Sequence, residues 1–139
     1  MSAKLIFLRP GSPIADFAPF TSNPAALRRL VVRYTQGECA VLATRIRELT
    51  GWPIVHLLDP PSRVLPLHYA NRRPDGGLVD ITGRYPRGLD VLATAGHDCA
   101  SPIWMSGPSF SLDRNDRRRA NTVLDSPWGL YLVRPDERR

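Results

Sequence analysis

One cysteine of this sequence, Cys39, stands at the start of a predicted helix, directly after a glycine and a glutamate. The N-terminus of a helix presents free N–H groups and the positive end of the helix dipole, and both stabilise a thiolate. That position lowers the pKa of a cysteine thiol, which makes the sulfur nucleophilic near neutral pH. The preceding Gly37 has no side chain, so a substrate backbone can approach closely. The alternative is an inert core thiol, because Cys39 shares a helical face with Ala43 and Ile46.

A nucleophilic cysteine needs a base and an orienting group, and His68 and Asp80 stand on two neighbouring strand candidates. The intervening Arg73-Pro74-Asp75-Gly76 has proline at the second position of a type I turn and glycine at the fourth. This pattern is typical of a three-residue hairpin loop with a glycine bulge, which would close at Gly77 and place Asp80 on the same face as His68. A two-residue loop would place them on opposite faces, but the turn chemistry favours the first register.

The other histidines and the second cysteine form no comparable set. His56 lies in a strand candidate with no carboxylate placed to orient it except Asp59. His97, Asp98 and Cys99 are consecutive, and adjacent side chains point apart, so we interpret Cys99 as a buried or loop thiol. No second cysteine or histidine lies at ligand spacing from these histidines, so we expect neither a metal nor another cofactor.

Two kinds of element must position these residues. Helices followed by a meander of short strands predict an α+β fold, in which an N-terminal helix carrying the cysteine packs on a small antiparallel sheet. No repeat or linker divides the chain, so we expect one domain spanning residues 1–139. The predicted helices are 25–34, 38–49 and 86–95, and the predicted strands are 54–58, 63–72, 78–82 and 128–133.

The composition excludes several classes of protein. Apolar residues make up 42% and charged residues 23%, which argues against a disordered chain, a collagen-like fibre and a coiled coil. No apolar run approaches the roughly 18 residues of a transmembrane helix, and the apolar start is too short for a secretory signal. We therefore expect a cytoplasmic protein, or one delivered to a target cell by a route without a signal peptide.

The basic charge indicates an arginine-rich surface rather than a nucleic-acid site. The net charge is +6, and every basic residue except Lys4 is arginine, a pattern typical of GC-rich coding. The run from Arg114 to Arg119 is interleaved with aspartate and holds no aromatic residue, which favours a solvated helix face.

Four motifs follow one another in the middle of the chain: Gly37-Glu38-Cys39-Ala40, Leu49-Thr50-Gly51-Trp52-Pro53, His68, and Asp75-Gly76-Gly77-Leu78-Val79-Asp80-Ile81-Thr82-Gly83. Together they resemble the papain-like cysteine hydrolase superfamily, particularly the small papain-like domains of bacterial polymorphic toxins and prophage-borne proteins. Those domains have a Gly-x-Cys at a helix start, a Leu-Thr-Gly-Trp-Pro strand entry, a strand histidine and an Asp-Gly-x-x-x-Asp hairpin arm. The flanks outside this segment resemble nothing that we can name.

The resemblance implies a papain-like core in which Cys39 is the nucleophile, His68 is the general base and acid, and Asp80 orients the imidazole. Many papain-like enzymes use a glutamine upstream of the cysteine as an oxyanion donor, and Gln36 stands closer to Cys39 than in papain itself. The candidate oxyanion and substrate residues are therefore Gln36, Gly37 and Glu38.

Such a triad attacks a carbonyl, which supports peptide or isopeptide hydrolysis, glutamine deamidation or acyl transfer through a thioester. We expect a protein or peptide substrate, and the toxin-borne relatives imply a cognate inhibitor or immunity protein. Neither a membrane nor nucleic acid is an expected partner, and the oligomeric state is left open. The alternative function is a catalytically inactive scaffold that acts as a protein-binding or assembly module, because Cys39 lies on an apolar stripe.

Overall fold

Two helices, a five-stranded sheet and two further helices follow one another along the chain. The computed structural model describes residues 24–36, 38–59, 63–87, 103–108 and 110–139. The described elements are α1 (Pro24–Gln36), α2 (Cys39–Thr50), β1 (Ile54–Asp59), β2 (Arg63–Arg72), β3 (Leu78–Asp80), β4 (Gly83–Tyr85), β5 (Ile103–Ser106), α3 (Arg114–Leu124), α4 (Pro127–Leu132) and a 3₁₀ turn, Pro135–Glu137. All pairs of neighbouring strands are antiparallel, in the order β4-β3-β2-β1-β5. The fold is therefore α+β, as predicted.

Helix α2 begins at Cys39, so the predicted placement of the cysteine at a helix start is confirmed. The helix ends where predicted, because Gly51 adopts a left-handed φ of 79° and its N–H donates to Arg47 O at 2.8 Å. Leu42, Ala43, Thr44 and Ile46 are buried along one side of the helix. This buried stripe is what fixes the helix, and with it the cysteine, against the rest of the fold.

The hairpin between β2 and β3 has the predicted three-residue loop. The N–H of Arg73 donates to Gly77 O at 2.7 Å, and the N–H of Gly76 donates to Arg73 O at 2.9 Å. Gly76 has a φ of 87°, which is the left-handed conformation that the glycine bulge requires. Asn71 lies opposite Val79, so the predicted register is confirmed.

The third strand is shorter than predicted, because residues 81 and 82 form a turn and not the end of a strand. Asp80 pairs with Gly83 across this turn, and β4 then returns alongside β3. The carboxylate of Asp80 accepts the N–H of Thr82 at 2.8 Å. A short acidic side chain that binds backbone in this way competes with the strand ladder and ends it.

The predicted strand over residues 128–133 is wrong, because this segment forms helix α4. Ser126 caps the helix by accepting the N–H of Gly129, and Pro127 occupies the first turn, where its missing N–H costs nothing. Trp128, Gly129 and Leu132 are buried. Of the helix predicted over 86–95, only Pro86 and Arg87 are described, and both lie in a non-helical bend.

Helices and sheet share one hydrophobic core. The buried amide of Asn71 links β2 to α2 through this core, because it donates to Ala43 O at 2.8 Å. It also donates to Trp52 O at 3.3 Å. Among the described residues, no helix is long and apolar enough to cross a membrane. The core is built from Leu27, Val31, Tyr34, Leu42, Ile46, Trp52, Val55, Ala70, Leu78, Val79, Ile81, Tyr85, Val123, Leu124, Trp128, Leu132 and Val133.

Candidate active site

The half-buried thiol of Cys39 lies at the mouth of helix α2. The N–H groups of Val41 and Leu42 both donate to Glu38 O, at 3.1 and 3.3 Å. The N–H groups of Cys39 and Ala40 precede these two in the first turn, where the helix offers no carbonyl to accept them. The first turn therefore directs backbone donors at the space where the sulfur sits.

His68 connects this thiol to a carboxylate. Its side chain is fully buried, and its Nε2 lies 2.9 Å from Asp80 Oδ2. The imidazole and the thiol of Cys39 are close enough that each shifts the pKa of the other. Because Nε2 faces Asp80, Nδ1 is the ring nitrogen on the side away from the carboxylate. The structure thus brings Cys39, His68 and Asp80 together in the order that the sequence predicted.

The carboxylate of Asp80 is surrounded by three donors. Oδ2 faces His68, while Oδ1 accepts the N–H of Thr82 at 2.8 Å and its hydroxyl at 2.5 Å. The Thr82 hydroxyl in turn lies 2.7 Å from the hydroxyl of Tyr85. Asp80 is only 4% exposed and Thr82 is not exposed at all, so this network has little access to water. Bonds to both carboxylate oxygens fix the orientation of Asp80 relative to His68.

Several groups determine the pKa of the Cys39 thiol. Burial is the largest single influence and opposes ionisation. The hydrogen bond and charge of His68, together with the backbone N–H groups of Tyr69 and Ala40, outweigh burial and lower the pKa. The thiolate is therefore favoured by the histidine and by the helix start at once.

The pKa of His68 moves in the opposite direction. Burial alone would lower it, but the hydrogen bonds to Asp80 and Cys39 and the charges of both raise it from 6.5 to about 9. A raised imidazole pKa beside a lowered thiol pKa favours a thiolate–imidazolium pair at neutral pH. That pair supplies a nucleophile and a proton donor in adjacent positions.

Trp104 packs against the histidine and was not among the residues predicted from sequence. It lies on β5 opposite Leu57 of β1, and Leu57 lies opposite His68 of β2. The rings of Trp104 and His68 meet edge-on, with centroids 6.2 Å apart and an interplanar angle of 74°. Thr82 and Tyr85 were also missed, although Asp80 followed by Gly83 at the fourth position is a turn signature that indicated Thr82.

Glu38, one of the predicted oxyanion or substrate residues, contacts two arginines and the end of α1. Its N–H donates to Arg33 O at 3.0 Å, and its carboxylate lies 3.7 Å from Arg33 Nε and 3.3 Å from Arg119 Nη2. A carboxylate held between two arginines can only accept hydrogen bonds. Gln36 is the last residue of α1, but its side chain and the whole of Gly37 lie outside the described residues.

Of the other histidines, only His56 lies among the described residues. His56 is half-buried and meets Tyr69 edge-on, with ring centroids 6.1 Å apart. His97, Asp98 and Cys99 lie outside the described residues. Within the described ranges, no group of three or more His, Cys, Asp or Glu side chains is placed to hold a metal ion.

Two arginines of α3 are engaged in ion pairs at the surface. Arg117 lies 2.9 Å from Glu48 on α2, and Arg119 lies 2.7 Å from Asp116. Arg118 donates to Asn115 on its own helix. These contacts are those of a solvated helix face that helps to hold α3 on α2.

Comparison with protein-family models, with curated proteins and with solved structures finds no match to this chain. The function is therefore inferred from the arrangement of Cys39, His68 and Asp80.

Proposed function

We propose that this protein is a papain-like cysteine hydrolase or amidase that attacks an amide carbonyl of a protein or peptide. Cys39 would be the nucleophile, His68 the general acid and base, and Asp80 the group that orients the imidazole. The observation that carries the proposal is the series Cys39–His68–Asp80, in which a half-buried thiol at a helix N-terminus is backed by a buried histidine and a buried carboxylate. A structural thiol in a core needs neither a histidine partner nor a carboxylate behind it.

In the first half of the reaction, the Cys39 thiolate attacks the carbonyl carbon and a C–S bond forms. The π electrons move to the carbonyl oxygen, where backbone N–H groups of the first turn of α2 would stabilise the negative charge. As the oxyanion collapses, the C–N bond breaks and His68 transfers its Nδ1 proton to the departing amine. A thioester on Cys39 and a neutral imidazole are left.

In the second half, neutral His68 takes a proton from water, and the resulting hydroxide attacks the thioester carbon. The C–S bond breaks, the carboxylic acid product leaves, and the thiolate–imidazolium pair is restored. Attack by an amine instead of water gives acyl transfer. When the substrate is a glutamine side chain, the departing amine is ammonia and the outcome is deamidation.

The sequence resemblance to toxin-borne domains extends the proposal to biological role. On that basis the enzyme is a toxin or effector that modifies a target protein and is held in check by an inhibitor or immunity protein. Its partners would then be proteins, recognised outside the triad.

The chemistry is tested by measuring how fast iodoacetamide alkylates each cysteine between pH 4 and 10, with mass spectrometry to separate Cys39 from Cys99. We expect Cys39 to react with a midpoint well below the free-thiol value of about 8.5. His68→Ala should move that midpoint back up, because it removes the hydrogen bond and the charge that lower the pKa of Cys39.

Two outcomes would contradict the proposal: a Cys39 that alkylates no faster than Cys99, or a pH profile that His68→Ala leaves unchanged. Cys39→Ala serves as the control for labelling at other sites. A protein that shows no reactive thiol and whose Cys39→Ala variant behaves in every assay as the parent would instead support a binding or assembly module.

A further inference from the structure

A buried line of side chains continues behind the triad, on the side of Asp80 away from His68. The Thr82 hydroxyl touches two oxygens: Asp80 Oδ1 at 2.5 Å and the hydroxyl oxygen of Tyr85 at 2.7 Å. Both Thr82 and Tyr85 are buried. The proposed reaction needs neither of them, so their polar groups require another explanation.

The directions of these hydrogen bonds follow from counting protons. An ionised carboxylate only accepts, so the single hydroxyl proton of Thr82 is donated to Asp80. The Thr82 oxygen must then accept from Tyr85, which uses its own phenolic proton for that bond. The line therefore runs in one direction, from Tyr85 through Thr82 to Asp80, and Asp80 meets His68 with its other oxygen.

We propose that Thr82 is a positioning residue for this site: its hydroxyl, itself held by Tyr85, keeps the Asp80 carboxylate aimed at His68. This inference rests on the proposed function, because it assigns Thr82 a role in orienting the proposed general base. Thr82 acts through Asp80 and touches neither the sulfur nor the imidazole in the described hydrogen bonds.

The position of the hydroxyl is itself fixed by the turn. The backbone N–H of Thr82 binds the same carboxylate oxygen, at 2.8 Å. The preceding carbonyl, of Ile81, accepts the indole N–H of Trp128 at 2.7 Å in the buried interior. Thr82 therefore cannot turn away from Asp80 without breaking contacts on both sides.

Few other charges act on the histidine. Of the described residues, Asp80 from β3 and Cys39 from α2 are the groups that shift the pKa of His68. Burial and the charge of Cys39 raise the pKa of Tyr69, on β2 itself, and Tyr85 of β4 hydrogen-bonds the Thr82 hydroxyl. A change in the titration of His68 after substitution of Thr82 is therefore attributable to Asp80.

The test compares Thr82→Val, which keeps the shape and removes the hydroxyl, with Thr82→Ser, which keeps the hydroxyl. The first readout is the pH profile of Cys39 alkylation by iodoacetamide, and the second is the NMR titration of the ¹⁵N-labelled His68 ring. Without the hydroxyl, Asp80 Oδ1 is held less firmly and the carboxylate can turn away from the imidazole. We therefore expect Thr82→Val to lower the pKa of His68 and to raise the Cys39 midpoint by about one pH unit. Thr82→Ser should restore both to near the parent values.

Thr44→Val is the matched control, because the hydroxyl of Thr44 is also buried, on the cysteine-bearing helix, without a hydrogen-bond partner among the described residues. It should leave both profiles unchanged. If Thr82→Val does not fold, Tyr85→Phe decides, since it removes only the far donor and should shift both profiles in the same direction by less.

A folded Thr82→Val protein with parent-like profiles overturns the proposal, and so does a Thr82→Ser protein that behaves like Thr82→Val. An unshifted Tyr85→Phe protein does the same when Thr82→Val cannot be obtained. Failure of the proposed function has a different signature, which is an ordinary thiol at Cys39 in the parent that is insensitive to His68→Ala. In that case the His68 titration still decides whether Thr82 positions Asp80.

Discussion

At the scale of single residues, the pKa values of Cys39 and His68 shift in opposite directions, so the two groups affect the pH dependence of stability in opposite ways. The pKa of His68 is raised to about 9, so its contribution to the free energy of unfolding is complete below pH 6.5 and is lost as the pH rises through 9. The pKa of Cys39 is lowered from 9.0, so its contribution is present above pH 9 and is lost as the pH falls through its folded value. Between the shifted pKa values, a rise in pH therefore adds to the stability contributed by Cys39 and subtracts from the stability contributed by His68.

This opposition predicts that Cys39→Ala changes the pH dependence of stability as well as its magnitude. With the thiol removed, only Asp80 opposes the effect of burial on His68, so the pKa of His68 should lie below its parent value of about 9. The free energy of unfolding should then fall as the pH rises from 6.5 through that lower pKa. The added slope is at most about 1.4 kcal/mol per pH unit. Urea denaturation of parent and variant at several pH values measures it, and parallel curves for the two proteins would refute the prediction.

The types and order of the triad residues could be predicted from sequence, because local rules decide them. A helix start made Cys39 a candidate, and turn chemistry between residues 73 and 77 put Asp80 on the face of His68. Trp104 could not be predicted, since its contact with His68 depends on β5 pairing with a strand far away in the sequence. The hydrogen bonds that Thr82 and Tyr85 form behind Asp80 could be predicted only with the knowledge that β3 ends at Asp80.

At the scale of elements, local caps explain which predictions hold. Helix α2 ends at Gly51, as predicted, because a left-handed glycine ends a helix through its own backbone conformation and does not depend on distant contacts. The strand predicted over 128–133 failed because a short apolar run does not distinguish strand from helix, and the Ser126-Pro127 helix start was overlooked. In the helix that forms, Leu130 and Tyr131 are exposed while Trp128 and Leu132 face inward.

The connection between α3 and α4 is so tight that Gly129 should not tolerate a side chain. A methyl group at Gly129 would overlap Val123 O and Leu124 Cα, which are backbone atoms that cannot rotate away. We expect Gly129→Ala to lower the free energy of unfolding by about 3 kcal/mol or more.

Gly76→Ala is the comparison for this prediction. A methyl group there meets nothing within 4 Å, but φ is +87°, so we expect a cost of only about 1–2 kcal/mol. Urea midpoints of both variants at one pH give the two costs. A Gly129→Ala protein as stable as Gly76→Ala would show that α4 can move away from α3.

At the scale of the whole molecule, the C-terminal helices are tied to the elements that build the site. Arg45 on α2 donates to Asn121 on α3 at 2.8 Å. Arg84 on β4 forms a bidentate pair with Glu137, at 2.6 and 3.1 Å. These contacts join residues far apart in sequence, so patterns of local spacing could not have predicted them.

Trp128 is the most direct of these ties, because its indole N–H holds the turn that carries Asp80 and Thr82. Trp128→Phe leaves the buried carbonyl of Ile81 without this donor, which should cost about 1–3 kcal/mol of stability. We also expect the alkylation midpoint of Cys39 to rise, since the turn becomes free to shift.

Tyr131→Phe is the control for Trp128, because Tyr131 stacks on the indole at 4.9 Å but is 40% exposed. It should change stability by less than about 0.5 kcal/mol and leave the midpoint in place. A Trp128→Phe protein with normal thiol reactivity would show that the turn holds its shape without α4.

The exposed loop Pro74-Asp75-Gly76 has a consequence for natural variation in this protein. Surface loops usually accept substitutions freely, and changes in them are read as neutral drift. Here the backbone preference of three exposed residues selects which side chain of β3 faces His68. A two-residue loop would shift the register by one residue and bring Asp80, in place of Val79, opposite Asn71. Drift in this loop alone can therefore separate Asp80 from His68 while Cys39, His68 and Asp80 are all retained, and an inventory of those three residues would not reveal the change.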